Sequence, residues 1–119
     1  MMKEPTDFIG NILAKLINLQ LENSSMRDNM ANWNMSVVLE TDYYPVSIIF
    51  DEPISMKTGS VDEPTLIFKM SFGTIISLVK KETSMIRAML GGSIKVRGLL
   101  QNPRAAYRFY TLMNSILKG

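Results

Sequence analysis

The chain has 119 residues, 46% hydrophobic and 20% charged, with 13 basic and 11 acidic side chains and neither histidine nor cysteine. That length suits one domain, able to bury a core without a metal or disulfide staple. The two missing residue types close off the Ser-His-Asp relay, the imidazole proton shuttle, thiol nucleophiles, disulfides and Cys/His zinc or iron–sulfur sites.

The opening Met1-Met2-Lys3-Glu4-Pro5-Thr6-Asp7 puts two acids ahead of the first apolar run, unlike the basic start of a signal peptide. No stretch approaches the roughly 20 apolar residues of a membrane span, so a soluble cytoplasmic protein is expected. From Thr6 to Glu22, Ile9, Ile12, Leu13, Leu16 and Ile17 recur at helical spacing, opposite Asn11, Lys15, Asn18 and Glu22. Thr6 or Asp7 can cap this helix, its side-chain oxygen accepting one of the free N–H groups at the start. The polar segment from Asn23 to Asn32 holds Ser25-Met26-Arg27-Asp28, which resembles a weak capping box for one short helical turn.

At Trp33 the period changes to two. Trp33, Met35, Val37 and Leu39 alternate with Asn34, Ser36, Val38 and Glu40, as in a strand with one buried face. Thr41-Asp42 predicts a turn into a second strand, Tyr43 to Phe50, rich in β-branched and aromatic residues. Asp51-Glu52-Pro53 interrupts, because proline cannot donate to a ladder. Ile54, Met56 and Thr58 mark a short third strand, Gly59 to Pro64 a loop, and Thr65 to Ser71 a fourth strand. The short connections predict antiparallel pairing.

Past Phe72 the pattern is helical again. Ile75, Ile76, Leu78 and Val79 form one short apolar helix, and Ser84 can cap another carrying Met85, Ile86, Met89 and Leu90. Gly91-Gly92 ends it where the backbone must turn left-handed. Ser93 to Gly98 alternates as a fifth strand. Asn102-Pro103 starts a closing helix to Lys118, with Ala106, Phe109, Tyr110, Met113, Ile116 and Leu117 on one stripe. The reading is a single α+β domain over residues 1–119, with about five mostly antiparallel strands covered by helices and a helix at each end.

Charge is unevenly placed. Residues 79–119 hold eight basic side chains against Glu82 alone, a net of +7, and residues 1–78 hold five bases against ten acids, a net of −5. A cationic half suits an anionic membrane, a phosphorylated ligand or nucleic acid; the alternative is two solvated faces that partly pair across the fold. Nucleic acid is not expected, because the bases are not interleaved with stacking aromatics. Of ten methionines, Met35, Met70, Met85, Met89 and Met113 fall on the apolar stripes. Their flexible thioethers suit an adaptable wall as well as an ordinary core. The acid pairs Asp51-Glu52 and Asp62-Glu63 each precede a proline and belong in exposed turns, not in a catalytic site. Gly91-Gly92 and Gly98 fit neither a P-loop nor a dinucleotide fingerprint.

The run Ile86-Arg87-Ala88-Met89-Leu90-Gly91-Gly92-Ser93-Ile94-Lys95-Val96-Arg97-Gly98 resembles the core signature of the sterol carrier protein-2 family. There, an Ala-Phe-Met-like helix end leads through glycine into a Lys-Leu-Lys-Val-Lys-Gly-like strand. The order of the flanking elements fits over about residues 6–118. The resemblance implies a sterol-carrier-like fold, a sheet covered by helices around an apolar tunnel for fatty acyl chains, acyl-CoA or sterols. On that basis Trp33, Met35, Phe68, Met70, Leu78, Met85, Met89, Phe109, Met113 and Leu117 are expected to wall the cavity, with the closing helix as a lid. Met85, Met89 and Met113 are expected to rearrange around a ligand. Arg97, Arg104 and Arg108 are expected to meet an anionic headgroup or membrane surface. The expected function is non-enzymatic lipid binding and transfer, without cofactor or metal, with a lipid or acyl-CoA as partner and an anionic membrane and a homodimer as further candidates. Its rivals are an interaction or accessory subunit with a collapsed cavity, and an enzyme acting on acyl substrates through carboxylates.

Overall fold

Alternation along the strands gives the sheet one apolar and one largely polar face. The computed structural model describes residues 7–51 and 53–118, with side chains up to residue 116; Thr6 and Glu52 lie outside it. Strands β1 (Met35–Glu40), β2 (Val46–Phe50), β3 (Ser55–Thr58), β4 (Leu66–Lys69) and β5 (Lys95–Arg97) form one mixed sheet in the order β3-β2-β1-β4-β5. The first three make the expected antiparallel meander, and β5 pairs antiparallel with β4.

One pairing differs from the sequence reading. β4 does not follow β3 in space but lies beside β1 and parallel to it, with Val37 opposite Leu66 and Leu39 opposite Phe68. The chain leaves the edge strand β3 and crosses β2 and β1 through residues 59–65. Seven extended residues reach about 20 Å, enough to cover three strand spacings of about 14 Å in all. The crossing runs over the outer face. Ser47 Oγ donates to the Gly59 carbonyl at 2.6 Å and accepts from the Val61 N–H at 3.0 Å, and the Thr65 N–H reaches the Ser36 carbonyl at 3.0 Å. The register puts Val38 on that outer face, where alternation predicts exposure, yet it is only 1% exposed. Ser47, on the same face, is fully buried with its hydroxyl satisfied.

The inner face carries Val37 and Leu39 of β1, Ile48 and Phe50 of β2, and Leu66 and Phe68 of β4, all buried. Helices α1 (Phe8–Leu21) and α5 (Pro103–Lys118) cover it; α1 packs against β3 and α5. Phe109 of α5 sits 4.9 Å from Phe68 and 6.1 Å from Phe50 between ring centroids. Asp7 is the cap of α1, accepting from the Gly10 N–H at 2.6 Å. Helix α2 (Ser24–Ala31) is longer than the single turn expected, because Asn23, two residues ahead of the predicted box, caps it through the Met26 N–H at 3.1 Å. Ser71 caps α3 (Phe72–Val79) and Ser84 caps α4 (Met85–Leu90). Past α4, Gly92 takes the left-handed turn at φ +85°.

Candidate functional site

Where α1, α3, α4 and α5 meet the inner face of the sheet, they leave an apolar cavity. The sheet supplies Leu39 and Ile48, and Met70 follows β4. Helix α1 adds Leu13 and Leu16, α3 adds Ile75, Leu78 and Val79, α4 adds Met85, and α5 adds Phe109 and Met113. Every wall side chain is a hydrocarbon or thioether, and none of them carries an ionisable group. The cavity volume is about 20 Å³, close to one water-sized sphere and far below the roughly 150 Å³ that an engineered apolar cavity needs to take up benzene. In this conformation the site is closed.

Five of the ten residues expected at the wall stand together there: Met70, Leu78, Met85, Phe109 and Met113. Four do not line it. Trp33 lies ahead of β1, half-buried with its ring 5.1 Å from Phe50. Met35 and Phe68 point to the inner face but are wholly taken up in the core. Met89 is half-buried against the core. Helix α4 is six residues long and turns Met85 and Ala88 inward, leaving Ile86 and Leu90 in solvent rather than on the expected apolar stripe. The Leu117 side chain lies outside the described residues. Leu13, Leu16, Leu39, Ile48, Ile75 and Val79 line the cavity but are not among the wall residues expected from sequence. Their spacing marks them as inward-facing, but only tertiary packing shows which inward residues share a gap.

The basic residues also separate. Arg97 lines a shallow depression of about 310 Å³ on the outer face with Glu40, Ile67, Lys69 and Lys95. The register sets Glu40, Lys69 and Lys95 side by side across β1, β4 and β5. Lys69 and Lys95 are like charges in direct opposition, a mildly destabilising pair. Arg104 and Arg108 are on α5 and line no part of this depression. The acids Asp51, Asp62 and Glu63 are exposed. Among the described residues no group of three or more acids could hold a metal ion.

One polar network ties α1 to the sheet. The Asp7 carboxylate accepts from the Thr58 hydroxyl at 2.7 Å, the Tyr44 hydroxyl at 2.8 Å and the Gly10 N–H at 2.6 Å. Burial pushes its pKa up, but the hydrogen bonds from Thr58, Gly10 and Tyr44 outweigh this and hold the group below its ordinary value. Burial and the neighbouring Asp7 charge raise the Tyr44 hydroxyl. This network braces the helix that forms one side of the cavity.

The five-stranded mixed sheet covered by helices is shared with solved sterol carrier structures. Sterol carrier protein 2 from Yarrowia lipolytica, in its apo form, matches it over 97% of both chains with TM-score 0.64 and 15% identity. The sterol carrier protein domain 2 of Helicoverpa armigera matches over 97% of this chain and 95% of its own, with TM-score 0.69 and 12% identity. A UbiJ-SCP2 ubiquinone synthesis protein matches over 88% of this chain and 91% of its own, with TM-score 0.65 and 11% identity. No family model and no curated protein matches the chain. The likeness is therefore one of fold, and the protein has the sterol carrier protein 2 fold. Among the described residues, no helix is long and apolar enough to cross a membrane.

Proposed function

We propose that the protein is a non-enzymatic carrier that takes a hydrophobic ligand, such as a fatty acid, an acyl-CoA or a sterol-like lipid, between sheet and helices. The observation that carries this reading is the wall itself: eleven apolar side chains, from the sheet, the segment after β4 and four helices, converge on one gap. Withdrawing an acyl chain from water gains about 0.8 kcal/mol per methylene. Walls that part around the chain stay dry if the chain fills the space between them. Met70, Met85 and Met113 supply three flexible side chains for that repacking. The names of the sterol carrier structures support the reading, since they attach sterol carriage to proteins of the same fold. For delivery, the depression bearing Lys69, Lys95 and Arg97 would face an anionic membrane surface through charge complementarity.

The closed cavity favours a second reading, an accessory subunit with no ligand of its own. The UbiJ-SCP2 ubiquinone synthesis protein, named for a biosynthetic role, is consistent with it. Native mass spectrometry of the purified protein, followed by organic extraction, separates the two. A lipid adduct, or uptake of added lipid, is the expected result. A bare mass that takes up nothing and dimerises with concentration would support the accessory role and overturn the carrier.

A further inference from the structure

A second void lies directly behind the cavity wall. It is an open cleft of about 450 Å³ between the α3–α4 turn and the second half of α5, with Lys81, Glu82, Arg87 and Asn114 around it and Leu78 and Met85 at its floor. Leu78 and Met85 also line the closed cavity, and among the described residues they are the two that line both voids. Both side chains are buried, at 4% and 2% exposure, and stand at the boundary the two spaces share. Methionine has three rotatable side-chain bonds and re-packs at small cost. Helix α4, which carries Met85, is six residues long and held at its start by a Ser84 cap at 3.3 Å.

We infer that this cleft is the route into the cavity for a single-chain lipid with an anionic head. The chain passes between Leu78 and Met85, and the head stays in the cleft beside Arg87. The inference rests on the carrier reading and adds a portal, a gate and a head-group preference to it. The cavity also reaches the partly exposed Leu16 and Val79, whose own side chains are apolar. The cleft offers both requirements at once, an apolar floor continuous with the cavity and a cationic rim. Lys81 and Arg87 against Glu82 leave a net single positive charge, matching one carboxylate better than a multiply charged head.

The test compares cis-parinaric acid with its uncharged methyl ester by fluorescence titration and stopped-flow mixing. Wild type is expected to bind both. Arg87→Gln should weaken the acid about five- to tenfold and leave the ester unchanged, and Arg87→Glu should weaken the acid further. Lys57→Gln, the same charge change on exposed Lys57 of β3, should alter neither. Met85→Ile, stiffer at the branch, should slow uptake of both probes several-fold. Equal losses for acid and ester in the Arg87 variants, or none for the acid, would overturn the head-group assignment while the carrier stands. An unchanged uptake rate in Met85→Ile would overturn the gate. If wild type binds neither probe, the carrier reading and this inference fall together.

Discussion

Gly98 closes the run from Ile86 that points to the sterol-carrier fold, and its chemistry is set by a residue far away in sequence. Its φ is +89°, and a Cβ there would meet the Thr65 carbonyl oxygen at 2.5 Å. The same carbonyl accepts from the Asn102 side chain at 3.2 Å, so the end of β5 and the start of α5 both close onto the start of β4. Gly59 also has positive φ, at +103°, but nothing lies within 4 Å of its absent Cβ. Gly98→Ala therefore combines backbone strain with a backbone clash and should cost at least about 2 kcal/mol. Gly59→Ala carries strain alone and should cost about 1 kcal/mol. Urea unfolding of both variants checks the order; equal losses would mean that the contact with Thr65 is dispensable. The motif marks Gly98 in the sequence, whereas the reason for it, Thr65, is visible only once β4 and β5 are paired.

Among the elements, α1 shows how one side chain fixes a helix to a sheet. Asp7 accepts from Gly10 within the helix and from Tyr44 and Thr58 on the strand side. Its pKa lies below the ordinary 3.8 in the folded protein. Above that ordinary value the carboxylate is charged in both folded and unfolded chains, and its contribution is fully present. As pH falls through the lowered folded value the unfolded chain binds the proton more readily, so the contribution is lost. Wild type should lose more stability than Asp7→Asn on going from pH 6 to pH 2.5 by urea unfolding. Parallel curves would exclude Asp7 as a source of acid sensitivity. The cap itself was legible, since Asp7 precedes an apolar run at helical spacing. Its strand-side partners were not, because nothing local to Tyr44 or Thr58 points to residue 7. In the same way α4 carried more apolar residues than a six-residue helix can bury, and sequence could not tell that Ala88 rather than Met89 would face inward.

At the scale of the molecule, the element types, their order and the fold were legible, since period, caps and turn residues agree along most of the chain. The parallel docking of β4 was not, because the crossover leaves no mark other than a loop long enough to make it. The cavity was half legible. Met70, Leu78, Met85, Phe109 and Met113 were expected at the wall, while the contributions of α1, β1 and β2 emerge only from packing. A closed apolar site has a global signature when it opens to bind. A ligand present at about one hundred times its Kd should add about 2.7 kcal/mol to stability. For a domain of this size that raises Tm by roughly ten degrees. Differential scanning fluorimetry with added fatty acid measures it, and an unmoved Tm would count against a filled cavity. The sheet's two borders carry a further consequence. β3 and β5 are four and three residues long, and their outer faces present Lys57 on one side and Lys95 with Arg97 on the other. Short, cationic margins repel an incoming strand from a neighbouring molecule. The sheet ends at five strands, and a concentrated solution gains little from edge-to-edge growth into fibrils.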